Sequence, residues 1–161
     1  MLKYLGITAV LVILDHITKY WAIIALKGKP AWPHGWEFFR FDYAENYHMI
    51  FSLSFMPMWI ANTLAIAAMG LLLYLLWEYK DKHVVPSVGL AFILGGAFGN
   101  IPERLFRGYV VDFISFDWPD RLFFTRWPTF NVADSSITIG AGIIIYHEIR
   151  SIFASEVVKD G

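Results

Sequence analysis

Two aspartates in unlike surroundings are the residues of this chain best suited to chemistry. Asp112 is an acid set inside an apolar run, between Val110-Val111 and Phe113-Ile114, while Asp134 stands in FNVADSSITIG (130–140), directly before another apolar run. Two carboxylates held together cannot both ionise cheaply, so one keeps a proton while its partner stays charged. Such a pair activates water: the ionised member takes a proton from it, and the protonated member polarises a scissile carbonyl and later helps the amine leave. Each acid also has a plainer use. Asp134 fits a helix N-cap, and Asp112 could form a salt bridge with Arg104 or Arg107. Ser52, Ser54, Ser135 and Ser136 are alternative nucleophiles, but each needs an activating base. His48, the one local candidate, lies in an aromatic segment without an orienting partner.

Other chemistries drop out on composition. The chain has no cysteine, which removes thiol nucleophiles, disulfides and Cys-ligated metals. No His cluster has metal-ligand spacing, no Gly-rich loop suits a phosphate, and a net charge of −1 leaves no footprint for nucleic acid. No metal and no organic cofactor is expected.

The elements that must position the acids are membrane spans. Of 161 residues, 57% are hydrophobic and only 17% charged, too apolar for an ordinary soluble domain of this size. A span needs roughly 20 mostly apolar residues, and four runs qualify: Tyr4 to Leu26, Trp59 to Trp77, Val84 to Ile101 and Ile137 to Ala154. The first is read as uncleaved, because no small-x-small site follows before hydrophobicity resumes at Tyr20. In the third, Gly95 and Gly99 form a GxxxG pair that lets another helix come close. The expected fold is an all-α polytopic membrane protein, with four transmembrane helices and a small extracytoplasmic β-containing segment, in a single domain over residues 1–161. Four spans put both termini on one side and two long segments, Lys27 to Met58 and Pro102 to Ser136, on the other. The density of basic residues in the short segments favours cytoplasmic termini. The long side is aromatic (Trp32, Trp36, Phe38, Phe39, Phe41, Tyr43, Tyr47, Trp118, Trp127), and Trp36 to Tyr43 after the Pro33-His34-Gly35 turn signal reads as a short strand or hairpin on the headgroup layer.

The remaining charges need a reason to be near the bilayer. Asp15 and Lys19 are four apart, share a helix face and can neutralise each other, either as a structural ion pair or as support for a site. Glu103, Arg104, Arg107 and Asp112 fall within ten residues of one another after a very apolar stretch.

In order and spacing, DHITK (15–19), GGAFGNIPERLFRGYVVDFI (95–114) and FNVADSSI (130–137) resemble the lipoprotein signal peptidase (signal peptidase II) family, over most of the chain. The resemblance implies a four-helix aspartyl endopeptidase of the bacterial inner membrane, with its active site towards the outer leaflet. Such an enzyme removes signal peptides from prolipoproteins by cleaving before a diacylglyceryl-modified cysteine. It makes Asp112 and Asp134 the catalytic pair, and gives Asp15, Lys19, Asn46, Gly99, Asn100, Arg104 and Asn131 the supporting positions that order the site or contact substrate backbone or lipid. The implied partners are a lipid-modified prolipoprotein and membrane lipids, with a monomer assumed. This chain departs from the family pattern at NYHMIF (46–51), where His48, Met49 and Ile50 replace small residues and should narrow the pocket. It departs again at Pro102-Glu103, where an Asp is usual and Pro102 should change how the third helix ends. Two other classes fit part of the pattern: a catalytically impaired homologue that binds lipoproteins, and a proton-coupled carrier.

Overall fold

The computed structural model describes residues 1–36, 38–47, 58–117 and 127–159. His48, Met49, Ile50, Ser52, Ser54 and Trp118 lie outside the described residues. Four helices, α1 (Leu2–Leu26), α2 (Met58–Tyr79), α3 (Val84–Arg107) and α4 (Val132–Lys159), are joined by β1 (Phe39–Asn46) before α2 and β2 (Val110–Phe116) before α4. All four helices are long and apolar enough to cross a bilayer. They leave large apolar side chains exposed, among them Ile13, Ile17, Leu64, Leu71 and Ile145, which hydrocarbon solvates well. Trp59 and Trp77, near the two ends of α2, are exposed where headgroups would begin.

Two helices run further than their apolar stretches. α3 passes through Pro102 and continues to Arg107, so the proline does not end it. The Glu103–Arg107 pair one turn apart (3.0 Å) adds a few tenths of a kcal/mol, roughly, to the turn beyond it. The stop comes instead from Gly108, whose left-handed φ of 80° lets its N–H reach the Arg104 carbonyl at 2.9 Å. α4 starts at Val132 rather than Ile137, because its first turn is capped by side chains described below.

α3 is the hub. It packs against each of the other helices, whereas the backbone of α2 comes close to no helix but α3 among the described residues. Accordingly 56% of the spanning stretch of α3 is buried, against 22% for α1 and less for the others. Small residues make this possible, since helices in lipid associate by close backbone approach. A methyl group on Gly95 would meet Leu11 of α1 at 2.8 Å, and one on Gly99 would meet the Asp15 carboxylate at 2.7 Å and the Ala133 methyl at 2.9 Å. Two polar side chains of α1 find partners inside the bundle: the Thr8 hydroxyl donates to the Ala91 carbonyl at 3.0 Å and the Tyr4 hydroxyl to the Lys80 carbonyl at 3.3 Å. Tyr4, Leu76, Leu90, Ala91 and Leu94 form one core cluster, and Ala22, Leu26, Val111 and Phe113 form another where α1 meets the strands.

The two strands pair antiparallel across more than sixty residues of sequence. The short strand or hairpin expected over Trp36 to Tyr43 is met by β1 as a strand, and across the Pro33-His34-Gly35 turn Trp32 and Phe41 form an isolated bridge, exchanging backbone bonds of 2.9 and 2.7 Å. The main partner of β1 is β2. Phe41 sits opposite Ile114 and Ala44 opposite Asp112, so β1 spends three steps where β2 spends two, and a bulge lies between. Beyond it Asn46 faces Val110, which makes Asn46 the diagonal neighbour of Asp112.

Candidate active site

The first turn of α4 builds half of the site. Asn131 precedes the helix and Asp134 is its third residue. The Asn131 side-chain oxygen accepts from the Asp134 N–H at 2.9 Å, and Asp134 Oδ2 accepts from the Asn131 N–H at 3.1 Å. This is a reciprocal capping box. Asp134 therefore does cap, though from inside the helix, and the N-cap proper is Asn131. Its other oxygen remains available and accepts from Asn100 Nδ2 of α3 at 2.8 Å. Capping the helix and serving the site are compatible roles for one carboxylate.

β2 supplies the second acid. Asp112 is 2% exposed. Its Oδ1 accepts from Asn131 Nδ2 at 2.7 Å and its Oδ2 from Asn46 Nδ2 at 2.9 Å. Asn131 thus touches both aspartates, through its backbone N–H on one and its amide on the other. The orientation of that amide is forced, because its oxygen is already taken by the Asp134 N–H, which leaves Nδ2 for Asp112.

Behind the pair lies a buried ionic layer. Asp15 Oδ1 accepts from the Ala133 N–H at 2.9 Å, so an acid of α1 adds a further cap to the N-terminus of α4. Asp15 Oδ2 meets Lys19 Nζ at 2.8 Å, and Lys19 continues to Asn100 Oδ1 (2.7 Å), Glu103 Oε2 (3.0 Å) and the Gly99 carbonyl (3.1 Å). Asp15, Lys19 and Asn131 are almost fully buried, at 0, 3 and 0% exposed.

A cleft of about 640 Å³ opens in front. Asp112 and Asp134 line it together with Asn46, Asn100 and Arg104, while Asp15, Lys19, Gly99 and Asn131 stand behind its wall. Arg104 comes within 3.5 Å of the Asn46 carbonyl, and its charge acts on both aspartates. The far wall is apolar and comes from α2, through Ala65, Ala68, Met69 and Leu72, with Ile93, Ala97 and Ile137 below. A pocket of this make-up, mostly apolar with a few convergent polar groups, is suited to a ligand.

Charge is managed differently at the two nearest acids of the strands. Burial first, and the Asp134 charge second, raise Asp112 from the usual 3.8 to about 7, against the pull of its bonds from Asn46 and Asn131. Glu45, also on the cleft, is held down at about 2 by donors from the Tyr47 hydroxyl, Lys27 Nζ and the Tyr43 hydroxyl at 2.7, 2.9 and 2.9 Å. Near neutral pH Asp112 can carry a proton and Glu45 cannot.

The plainer readings separate here. Arg107 pairs with Glu103, and the polar partners that hold Asp112 include two asparagine amides. Ser135 and Ser136 donate to the Asn131 and Val132 carbonyls of their own helix at 2.9 and 2.8 Å, which ties both hydroxyls to the backbone. One residue of the ionic layer was absent from the expected site: Glu103. Its signal was available, since it lies three residues after Asn100 and four after Gly99 and so shares their helix face.

Known proteins bear on this arrangement. A family model described as signal peptidase (SPase) II matches residues 7–150. A lipoprotein signal peptidase of Psychromonas ingrahamii is 38% identical, over 96% of this chain and 87% of that protein. One of Teredinibacter turnerae is 33% identical over 99% and 93%. A solved structure described as a bacterial membrane enzyme superposes with a TM-score of 0.73 at 26% identity, covering 94% of this chain and 90% of that one. Its four spanning helices make the chain a multi-pass membrane protein, and the extent of these matches makes it a member of the signal peptidase II family of peptidases.

Proposed function

We propose that this protein removes the signal peptide from prolipoproteins by hydrolysing the peptide bond before the lipid-modified cysteine, with Asp112 and Asp134 as the catalytic dyad. The observation that carries the reading is that both carboxylates line one cleft and share Asn131. Asp134 is the ionised member. It accepts from Asn100 and from the Asn131 N–H, and it sits at the positive end of α4. Asp112, raised to about 7, is the protonated member. Water lying between them gives a proton to Asp134 as its oxygen adds to the substrate carbonyl, which Asp112 polarises by hydrogen bonding. The tetrahedral intermediate then collapses, and a carboxyl proton passes to the leaving amine. The cleft suits a lipid-bearing substrate, because its apolar wall on α2 can accept acyl chains or signal-peptide side chains while the peptide bond meets the polar wall.

Orientation belongs to the same proposal. The strands and the aromatic side chains around them, including Trp32, Trp36 and Phe38, lie on the exterior face, and both termini are cytoplasmic. The protein works as a monomer on one lipidated chain at a time.

Cleavage of a lipidated peptide, normalised to folded protein in detergent or nanodiscs, tests the dyad. Asp112→Asn and Asp134→Asn should each abolish turnover, and the double variant should be little worse than either single one, since residues acting as a unit are strongly non-additive. Substantial turnover in either single variant would reject the aspartyl mechanism.

A further inference from the structure

The mechanism above leaves two buried carboxylates of the ionic layer unused, Asp15, which caps α4, and Glu103. The Glu103 side chain is 8% exposed and both of its oxygens are engaged, Oε2 with Lys19 Nζ and Oε1 with Arg107 Nη1, each at 3.0 Å. Lys19 has three N–H groups and four oxygens within 3.1 Å of its nitrogen, from Asp15, Glu103, Asn100 and Gly99. Of its two anionic partners, Asp15 lies one turn back on the same helix, and Glu103 alone reaches it from α3. That asymmetry matters because Asn100, the next group in the chain of contacts, is also on α3.

We infer that Glu103 is a positioning residue for the dyad, acting on Asp134 through Lys19 and Asn100. An ammonium can only donate, so Lys19 fixes the Asn100 oxygen towards itself and turns Nδ2 onto Asp134 Oδ1. The reversed amide would set N–H against N–H at Lys19. Asn131 Nδ2 supports the same orientation from the other side, at 3.2 Å from Asn100 Oδ1. Glu103 draws the ammonium across to α3, where Asp15 alone would draw it back along α1. Arg107, whose side chain is 48% exposed, holds the outer oxygen of Glu103 in place. The result is an Asp134 oxygen that always meets a donor, which keeps it in the acceptor form that a general base needs.

The inference rests on the reading of Asp112 and Asp134 as the reacting pair, and the test separates the two. Glu103→Gln keeps the shape of the side chain and removes its charge. Steady-state cleavage of a lipidated peptide should show kcat lowered roughly tenfold, about 1.4 kcal/mol in the barrier, with KM within about twofold because Glu103 does not line the cleft. Glu103→Asp, which restores the anion, should recover most of that loss. Full kcat in folded Glu103→Gln, or Glu103→Asp no better than Glu103→Gln, overturns the inference. Should the single variant fail to fold, Glu103→Gln combined with Arg107→Gln removes the anion together with its exposed partner and preserves net charge. The same loss of kcat is expected there, and full turnover again overturns the inference. Asp112→Asn is assayed beside them: turnover in that variant overturns the dyad reading and the inference with it, whereas its loss alongside full kcat in Glu103→Gln overturns the inference alone.

Discussion

Replacing Asp112 with Asn should make the protein more stable at high pH while stopping catalysis. β2 lies outside the spanning helices, and in the folded state Asp112 titrates at about 7 rather than 3.8. Between those values the unfolded chain has released this proton and the folded chain has kept it. The folded state binds more protons there, so stability falls as pH rises through this window and levels off above it. A shift of about three units corresponds to about 4 kcal/mol. Asn has no proton to lose and escapes that penalty. It introduces a separate cost: its single oxygen can satisfy only one of the two donors that Asp112 receives, and Asn131 cannot turn over because its oxygen holds the Asp134 N–H. Asn46 would have to present its oxygen instead, and a failure to do so costs about 1–3 kcal/mol. That cost is the same at every pH, so the informative quantity is the change in the difference. Thermal unfolding in detergent, followed by tryptophan fluorescence from pH 4 to pH 8, should show Asp112→Asn gaining on the unsubstituted protein by about 4 kcal/mol, on the order of 10 °C. Burial is the larger cause of the shift, so the gain should shrink but persist in an Asp134→Asn background. A stability difference that stays constant across the range would refute the reasoning.

Three further outcomes follow from the same structure. Cleavage should decline as pH rises through about 7, where Asp112 loses the proton it contributes as an acid; a rate unchanged from pH 6 to pH 9 would remove it from that role. Gly99→Ala should destabilise by about 1–3 kcal/mol, because its methyl meets Asp15 and Ala133, whereas Gly70→Ala on open α2 surface should leave the melting temperature unchanged or slightly raised. A reporter fused after Gly161 should read cytoplasmic and one inserted near Lys29 exterior, and reversed signals would invert the orientation.

What could be read from the sequence was what depends on local composition. Apolar runs locate spans because hydrocarbon tolerates little else, and all four were found, with both ends of α1 and α2 placed within two residues. The start of α4 was misplaced by five residues because Asn131, Val132, Ala133 and Asp134 look like a polar approach to a helix, and only the reciprocal bonds of the capping box make them its first turn. The end of α3 was misjudged for a related reason. Proline is a strong local signal, yet the helix runs on through Pro102 and ends where Gly108 takes the left-handed conformation. β2 was invisible as a strand, since its partner is remote in sequence and pairing register is a property of two segments at once. The motifs also named polar positions without saying which face the cleft. Asn46, Asn100 and Arg104 do, whereas Asp15, Lys19 and Asn131 do not line it.

The bulge in β1 works as an indexing mark. With regular pairing from Phe41 and Ile114 onward, Tyr43 would stand opposite Asp112 and Glu45 opposite Val110. The diagonal contact now made by the Asn46 amide would then fall to the Glu45 carboxylate, which when ionised has no N–H or O–H to donate to Asp112. The segment between Phe41 and Ala44 should therefore be intolerant of deleting a single residue, even though neither Asp42 nor Tyr43 faces the cleft. Length, more than side-chain identity, is the information this stretch carries: the residue count from Phe41 to Asn46 determines whether an amide or an acid arrives beside Asp112.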